Sequence, residues 1–186
     1  MHLIPWSYVK NWICIACGNC CKKYRVPLSS YEAIRIANIF GYEYLELSLK
    51  CYYLRKKQDG SCIFQINNIC GIQDIKPLAC KLWPMIIHEK PRYEYKEEAE
   101  YEYKGQKFYV YLDSYCRGIT YGKPLLFFEK YIIPEFIEIS LKSREKQVFS
   151  TSFFIMQKFT NKLEQLSRNI YQTPFNIIKN TGNIKL

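Results

Sequence analysis

The chain has 186 residues, 48% hydrophobic and 24% charged, which excludes a disordered polypeptide and is long enough to bury a core without covalent staples. Its net charge is +10, from 27 Lys+Arg against 17 Asp+Glu. Such a surface attracts nucleic acid, acidic protein or anionic lipid, but no recognised nucleic-acid motif accompanies the charge.

The first residues, "MHLIPWSYVK", show no basic leader, no long apolar run and no small-residue cleavage site. No stretch approaches the ~18 apolar residues of a membrane helix. The expectation is a cytoplasmic protein with no membrane span. In a reducing compartment, clustered cysteines read as metal ligands or redox groups before they read as disulfides.

Residues 1–28 hold a dense cysteine run and lead into "RVPLSS", which ends at Ser30. Ser29 or Ser30 caps a helix over "SSYEAIRIANIF", with Ile34, Ala37 and the Phe40 region on its apolar face and Gly41 as its stop. "EYLELSLKCYYL" reads as a second short helix, "KKQDGS" as a turn signalled by Asp59-Gly60, and "SCIFQI" as an alternating strand. "NNICGIQDIKPLACKLWP" reads as a loop. "MIIHEK" and "YEYK" read as strands, "EYEYKGQKFYVYL" as a hairpin turning at Gly105, and "DSYCRGITYG" as a loop. From Lys123 the pattern turns helical, with Pro134 as a helix start or kink. The predicted fold is α+β. A cysteine-rich metal-cluster unit of short helices and antiparallel strands spans residues 1–122, and a helical C-terminal extension spans 123–186.

Four of the nine cysteines fall in a C-x2-C-x2-C-C run at Cys14, Cys17, Cys20 and Cys21. Thiols at this spacing can converge on one centre about 2.3 Å away, as an iron–sulfur or zinc site requires. On a helix the four would share an arc of about 120°; in a looped run, Gly18 permits the turn. The adjacent pair leaves two readings open. In extended backbone Cys20 and Cys21 point apart and serve different surroundings; in a helical turn both face one multinuclear site. Cys62, Cys70, Cys80 and Cys116 follow in loop contexts, and Cys51, in the predicted second helix, reads as a small core residue.

These elements resemble the CxxCxxCC domain family (YkgJ-type), a zinc- or iron-chelating domain also found in flagellin lysine N-methylases. The resemblance covers Cys14 to about Gly122. It rests on the cysteine run, on "VPLSSYEAIRIANIFG", on "GSCIFQINNICGIQDIKPLACKLWP" and on "CRGITYG", in that order. Lys76 and Lys81 stand where the family usually has Arg, Trp83 where it has Phe, and Arg117 where it has Pro. Lysine does not reproduce a forked arginine. The resemblance implies that Cys14, Cys17, Cys20, Cys21, Cys62, Cys70, Cys80 and Cys116 bind metal. Eight thiolates allow two zinc sites, a four-iron (4Fe-4S) cluster plus a zinc, or one multinuclear iron centre. The run resembles ferredoxin ligation, and Pro77 and Pro84 near Cys80 resemble its proline-flanked cysteines, so the expectation leans to iron–sulfur over zinc.

The remaining candidates weigh less. His88, on an apparent strand, reads as a surface or core histidine and His2 as part of a frayed end. Tyr24 and Asp59 are candidates to support the site from behind its ligands. "RYEYKEEAEYEYK" reads as two strands with tyrosines on one face, and "KSREK" as a solvated helix junction. Phe153, Phe154, Phe159 and Leu163 recur at helical spacing and serve core packing or a protein partner. No nucleophile elbow, Walker loop or AdoMet fingerprint occurs. The first functional expectation is therefore a metal-binding protein with a structural, redox or sensory role. The alternatives are an AdoMet-dependent lysine methyltransferase, as the flagellin-methylase resemblance implies, and a basic interaction module organised by metal.

Overall fold

The longest strand sets the frame: in "QKFYVYLD", Phe108, Val110 and Leu112 alternate with Tyr109, Tyr111 and Asp113, so one face is wholly apolar. The structure, a computed structural model, describes residues 2–149. The predicted helix carrying Phe153, Phe154, Phe159 and Leu163 lies outside the described residues.

In chain order the elements are β1 (Leu3–Pro5), β2 (Val9–Trp12), α1 (Asn19–Lys23), β3 (Pro27–Leu28) and α2 (Ser30–Phe40). Then come β4 (Leu45–Ser48), β5 (Cys51–Leu54), β6 (Gln65–Ile66), β7 (Ile69–Cys70), α3 (Leu78–Leu82) and β8 (Met85–His88). α4 (Lys96–Ala99), β9 (Glu100–Tyr103), β10 (Gln106–Asp113) and β11 (Ile119–Tyr121) follow, and a π-helical stretch, Phe128–Ile132, runs into α5 (Ile133–Ser140). The described elements are an α+β set of short helices and antiparallel strands. Among the described residues no helix is long and apolar enough to cross a membrane.

β10 is the centre of the main sheet. It pairs with β8 from Tyr109 to Leu112, with β9 from Gln106 to Tyr109, and with β1 from Tyr111 to Asp113. The β9–β10 hairpin turns at Lys104-Gly105, where both residues have positive φ. Its apolar face meets Phe128, Ile132, Ile133, Phe136 and Ile137, with Val9, Trp12 and Met85 completing the first core. Pro134 follows closely on the π-helical stretch Phe128–Ile132, so the change from π to α hydrogen bonding falls beside the residue that has no N–H. A second core gathers Val26, Leu28, Ile36, Leu45, Leu54, Phe64 and Ile72. It is floored by α2, whose cap at Ser29 and stop at Gly41 follow the sequence reading.

Several local expectations are corrected. "EYLELSLKCYYL" is not a helix but the β4–β5 hairpin, turned by Leu49 and Lys50 at φ 49° and 66°. Its β-branched-poor sequence masked a strand pair that tertiary pairing with β3 selects. On α2 the buried positions are Ala33, Ile36 and Ala37, an i, i+3, i+4 set, and Ile34 is 56% exposed. "SCIFQI" is a strand only at Gln65–Ile66; Cys62 forms an isolated bridge with Lys56 and gives its N–H to the Cys21 carbonyl. "YEYK" is irregular until α4 begins at Lys96, with Tyr95 left-handed at φ 57°. The two predicted loops contain β7, α3 and β11, the last paired with β2.

Candidate metal centre

One cavity of about 110 Å³ is lined by Cys14, Cys17, Cys20, Cys21, Cys62, Cys70, Cys80 and Cys116. Cys51 is elsewhere: it opens β5 opposite Ser48 and is exposed, which corrects its expected place in the core. Cys14 and Cys17 come from the irregular stretch between β2 and α1, and Cys20 and Cys21 from α1 itself. Cys62 precedes β6, Cys70 ends β7, Cys80 lies in α3, and Cys116 lies between β10 and β11. The helical turn thus brings both members of the adjacent pair to the same cavity, their sulfurs 4.0 Å apart. Among the described residues no three Cys, His, Asp or Glu side chains are gathered closely enough to hold a single ion. The thiols are arrayed around the wall of a space several times the ~10–15 Å³ that one water needs.

Specific backbone contacts hold the five segments together. Gly18 caps α1 at φ 71°, and a Cβ there would stand 2.4 Å from the Gln65 amide nitrogen. Gln65, buried in β6, donates to the Gly18 carbonyl at 3.1 Å, and the Cys62 N–H reaches the Cys21 carbonyl at 2.9 Å. These two bonds register the cysteine run against the β6–β7 hairpin. On the other side, the Ile13 N–H donates to the Gly118 carbonyl at 3.1 Å, and a Cβ on Gly118 would meet the Ile13 carbonyl oxygen at 2.1 Å. Only glycine lets those two strands approach so closely. Trp12 directs its indole N–H at the Cys116 sulfur, 3.3 Å away. Glu32 caps α2 with one carboxylate oxygen and accepts the Leu78 N–H at 2.7 Å with the other, so it fixes the start of the helix that carries Cys80.

The cavity lies on the seam between the two cores. Cys14 and Cys116 pack against the sheet core, and Cys21, Cys62, Cys70 and Cys80 against the second. Burial raises the pKa of Cys14, Cys62 and Cys70, and takes Cys116 to about 11 and Cys80 higher still. The contact between the Cys20 and Cys21 sulfurs lowers the pKa of Cys20 and raises that of Cys21. Lys76, on the cavity wall, opposes the burial effect at Cys14, Cys20, Cys70 and Cys80. The donor set fits a cationic, thiophilic group: thiols become ligands when a metal cation replaces their protons.

Tyr24 also lines the cavity, as its candidacy required. Its hydroxyl donates to the buried Asp113 at 2.6 Å, which with burial raises its pKa, and its ring lies 4.6 Å from that of Trp83. Lys23 sits 3.6 Å from the centre of the Tyr115 ring beside it. Asp59 is not at the cavity; it accepts the N–H and hydroxyl of Ser61 in its own turn. His88 packs on Tyr93, away from the cavity, and burial lowers its pKa. "KSREK" is not simply solvated, because Arg144 pairs with Glu135 and Glu138. Trp12, Gln65 and Asp113 escaped the sequence reading; each acts across 47 or more residues of separation and no local spacing marks it. Glu32 escaped it too, since the sequence reading named only Ser29 or Ser30 at this cap.

A family model, CxxCxxCC, described as "Putative zinc- or iron-chelating domain", matches residues 13–117, more than half of the chain. No curated protein and no solved structure matches it. The chain belongs to the CxxCxxCC family.

Proposed function

We propose that this member of the zinc- or iron-chelating family binds an iron–sulfur centre, with zinc as the alternative, through Cys14, Cys17, Cys20, Cys21, Cys62, Cys70, Cys80 and Cys116. One observation carries the reading: five separate stretches of chain deliver eight thiols to a single cavity, and the ninth cysteine, Cys51, is left outside it. Chance burial of small apolar cysteines would not sort them so completely. Eight thiols are twice the four of a tetrahedral zinc site, and the cavity has room for more than one ion. Both features favour a multinuclear centre.

An iron–sulfur cluster would supply one-electron chemistry and zinc a structural cross-link. The chain's own residues hold the thiols in register, line the cavity with Trp12, Tyr24 and Trp83, and set a positive charge, Lys76, at the wall. That arrangement supports a redox, sensory or structural role.

The test is iron, acid-labile sulfide and zinc per chain on protein purified without air. Iron with matching sulfide supports the reading, and zinc alone shifts it to the structural alternative. Cys17→Ser and Cys80→Ser should lose metal, whereas Cys51→Ser should keep it. Wild-type protein free of metal, or full metal content in the first two variants, would overturn the assignment.

A further inference from the structure

The family match ends at residue 117, yet a later segment is built onto the cavity wall. Residues 144–149 leave α5 and run across α3, the helix of Cys80. One side of this strap is anchored on a buried carboxylate. Glu135 of α5, 1% exposed, accepts the N–H groups of Val148 and Phe149 at 2.8 and 2.9 Å and pairs with Arg144 at 3.2 Å. A carboxylate so buried needs those partners, so the strap is a required part of the packing around α5.

The other side of the strap holds two lysines of the cavity region. Lys81 donates its ammonium to the Glu145 carbonyl at 2.9 Å. The Gln147 amide nitrogen donates to the Lys81 carbonyl at 2.5 Å, and its amide oxygen faces the Lys76 ammonium at 3.5 Å. Gln147 therefore spans from the end of α3 to Lys76, which lines the thiol cavity. A carboxamide is suited to this place: it orients the ammonium without neutralising it, as a carboxylate would.

We propose that residues 144–149 are a working part of the metal centre, with Gln147 the positioning residue that fixes the Lys76 ammonium at the cavity wall, where it offsets the negative charge of metal-bound thiolates. This rests on the metal-centre reading above. Groups behind metal ligands commonly change metal affinity about 10–100-fold when removed.

The experiment is the rate at which the full-length, metal-loaded chain releases its bound metal to an excess of chromophoric chelator. Wild type is compared with Lys76→Met, Lys76→Arg, Gln147→Ala and the Lys76→Met/Gln147→Ala double variant. Lys76→Met and Gln147→Ala should each speed release about 10-fold. The double variant should be no faster than Lys76→Met, because Gln147 acts only through Lys76. Lys76→Arg should restore most of the retention, which a loss of packing alone would not predict. Release at the wild-type rate from both single variants, additive effects in the double, or no rescue by Arg would overturn the proposal while the metal-centre reading stands. A wild-type chain that carries no metal would overturn that reading and this inference with it.

Discussion

The two cores on either side of the cavity are built to different standards. The sheet core contains Phe108, Phe128, Phe136 and Ile137 at 0–1% exposure, and its central strand is eight residues long. The second core mixes Ile36, Leu45, Leu54 and Phe64 with the small side chains Ala33, Ala37 and Cys62, and Cys21, Cys70 and Cys80 are only partly covered beside it. Beyond α2 and the β4–β5 hairpin, its elements are strands of two residues and helices of five, too short to hold themselves. The difference frames a contrast: one half is closed by a long strand and large aromatic side chains, and on the proposed metal-centre reading the other would be completed by the filling of the cavity.

Removing that filling should produce the largest effect. Structural metal sites in small domains contribute on the order of 10 kcal/mol to folding. On chelation, amide hydrogen exchange should accelerate at Cys21, Cys62 and Cys80, while the amides of Phe108 to Leu112 keep their protection. Loss of protection in both halves together would break the comparison. The reciprocal change is Phe136→Ala, which removes a fully buried ring packed edge-on against Trp12 at 5.1 Å. It should cost about 3–5 kcal/mol in urea unfolding followed by tryptophan fluorescence. Because Trp12 also points its N–H at Cys116, some loss of metal retention should follow.

The same contrast governs what was legible in the sequence. The β9–β10 hairpin and α2 announce themselves by local alternation, a serine cap and the glycines at 105 and 41. The C-x2-C-x2-C-C run was readable from its spacing, a chemical signal independent of the fold, and the four later cysteines were read with it only through the family resemblance. The β4–β5 hairpin was not, since its turn is formed by Leu49 and Lys50, residues that rarely adopt positive φ. Cys51 was misplaced with it. The groups that shape the cavity wall, Gln65 on Gly18, Trp12 on Cys116 and Asp113 on Tyr24, are pairings of distant residues, which leave no periodic trace. Glu32 is intermediate: its capping role is local, whereas its hold on Leu78 is not.

That double role makes Glu32 a sharper probe of the weaker half. Ser29→Ala removes the cap alone and should cost about 1 kcal/mol. Glu32→Ala also strands the Leu78 N–H at the start of the Cys80 helix, and should cost about 2 kcal/mol. If the second core depends on its metal, Glu32→Ala should speed metal release and Ser29→Ala should not. Equal release from the two variants would mean that the start of α3 does not govern the site.

The smallest effect lies on the other side, at Glu138 of α5. Tyr103 donates to its carboxylate at 2.5 Å, and this bond, ahead of those from Arg144 and Lys104, holds its pKa below the usual 4.5. A carboxyl group with a depressed folded-state pKa contributes stability that is present above its unfolded value and lost as pH falls through the folded one. The contribution should therefore be complete at neutral pH and fade below about pH 4.5. Glu138 is 25% exposed, so solvent screening limits it to about 1 kcal/mol or less. The measurement is the urea midpoint of wild type against Tyr103→Phe at neutral and at acid pH. It is made on metal-free protein, because acid also protonates thiolate ligands and would add their loss to the result. The gap should be present at neutral pH, close on acidification, and survive metal removal, since both residues belong to the half that closes itself. A gap that disappears with the metal at neutral pH would show that the two halves fold as one.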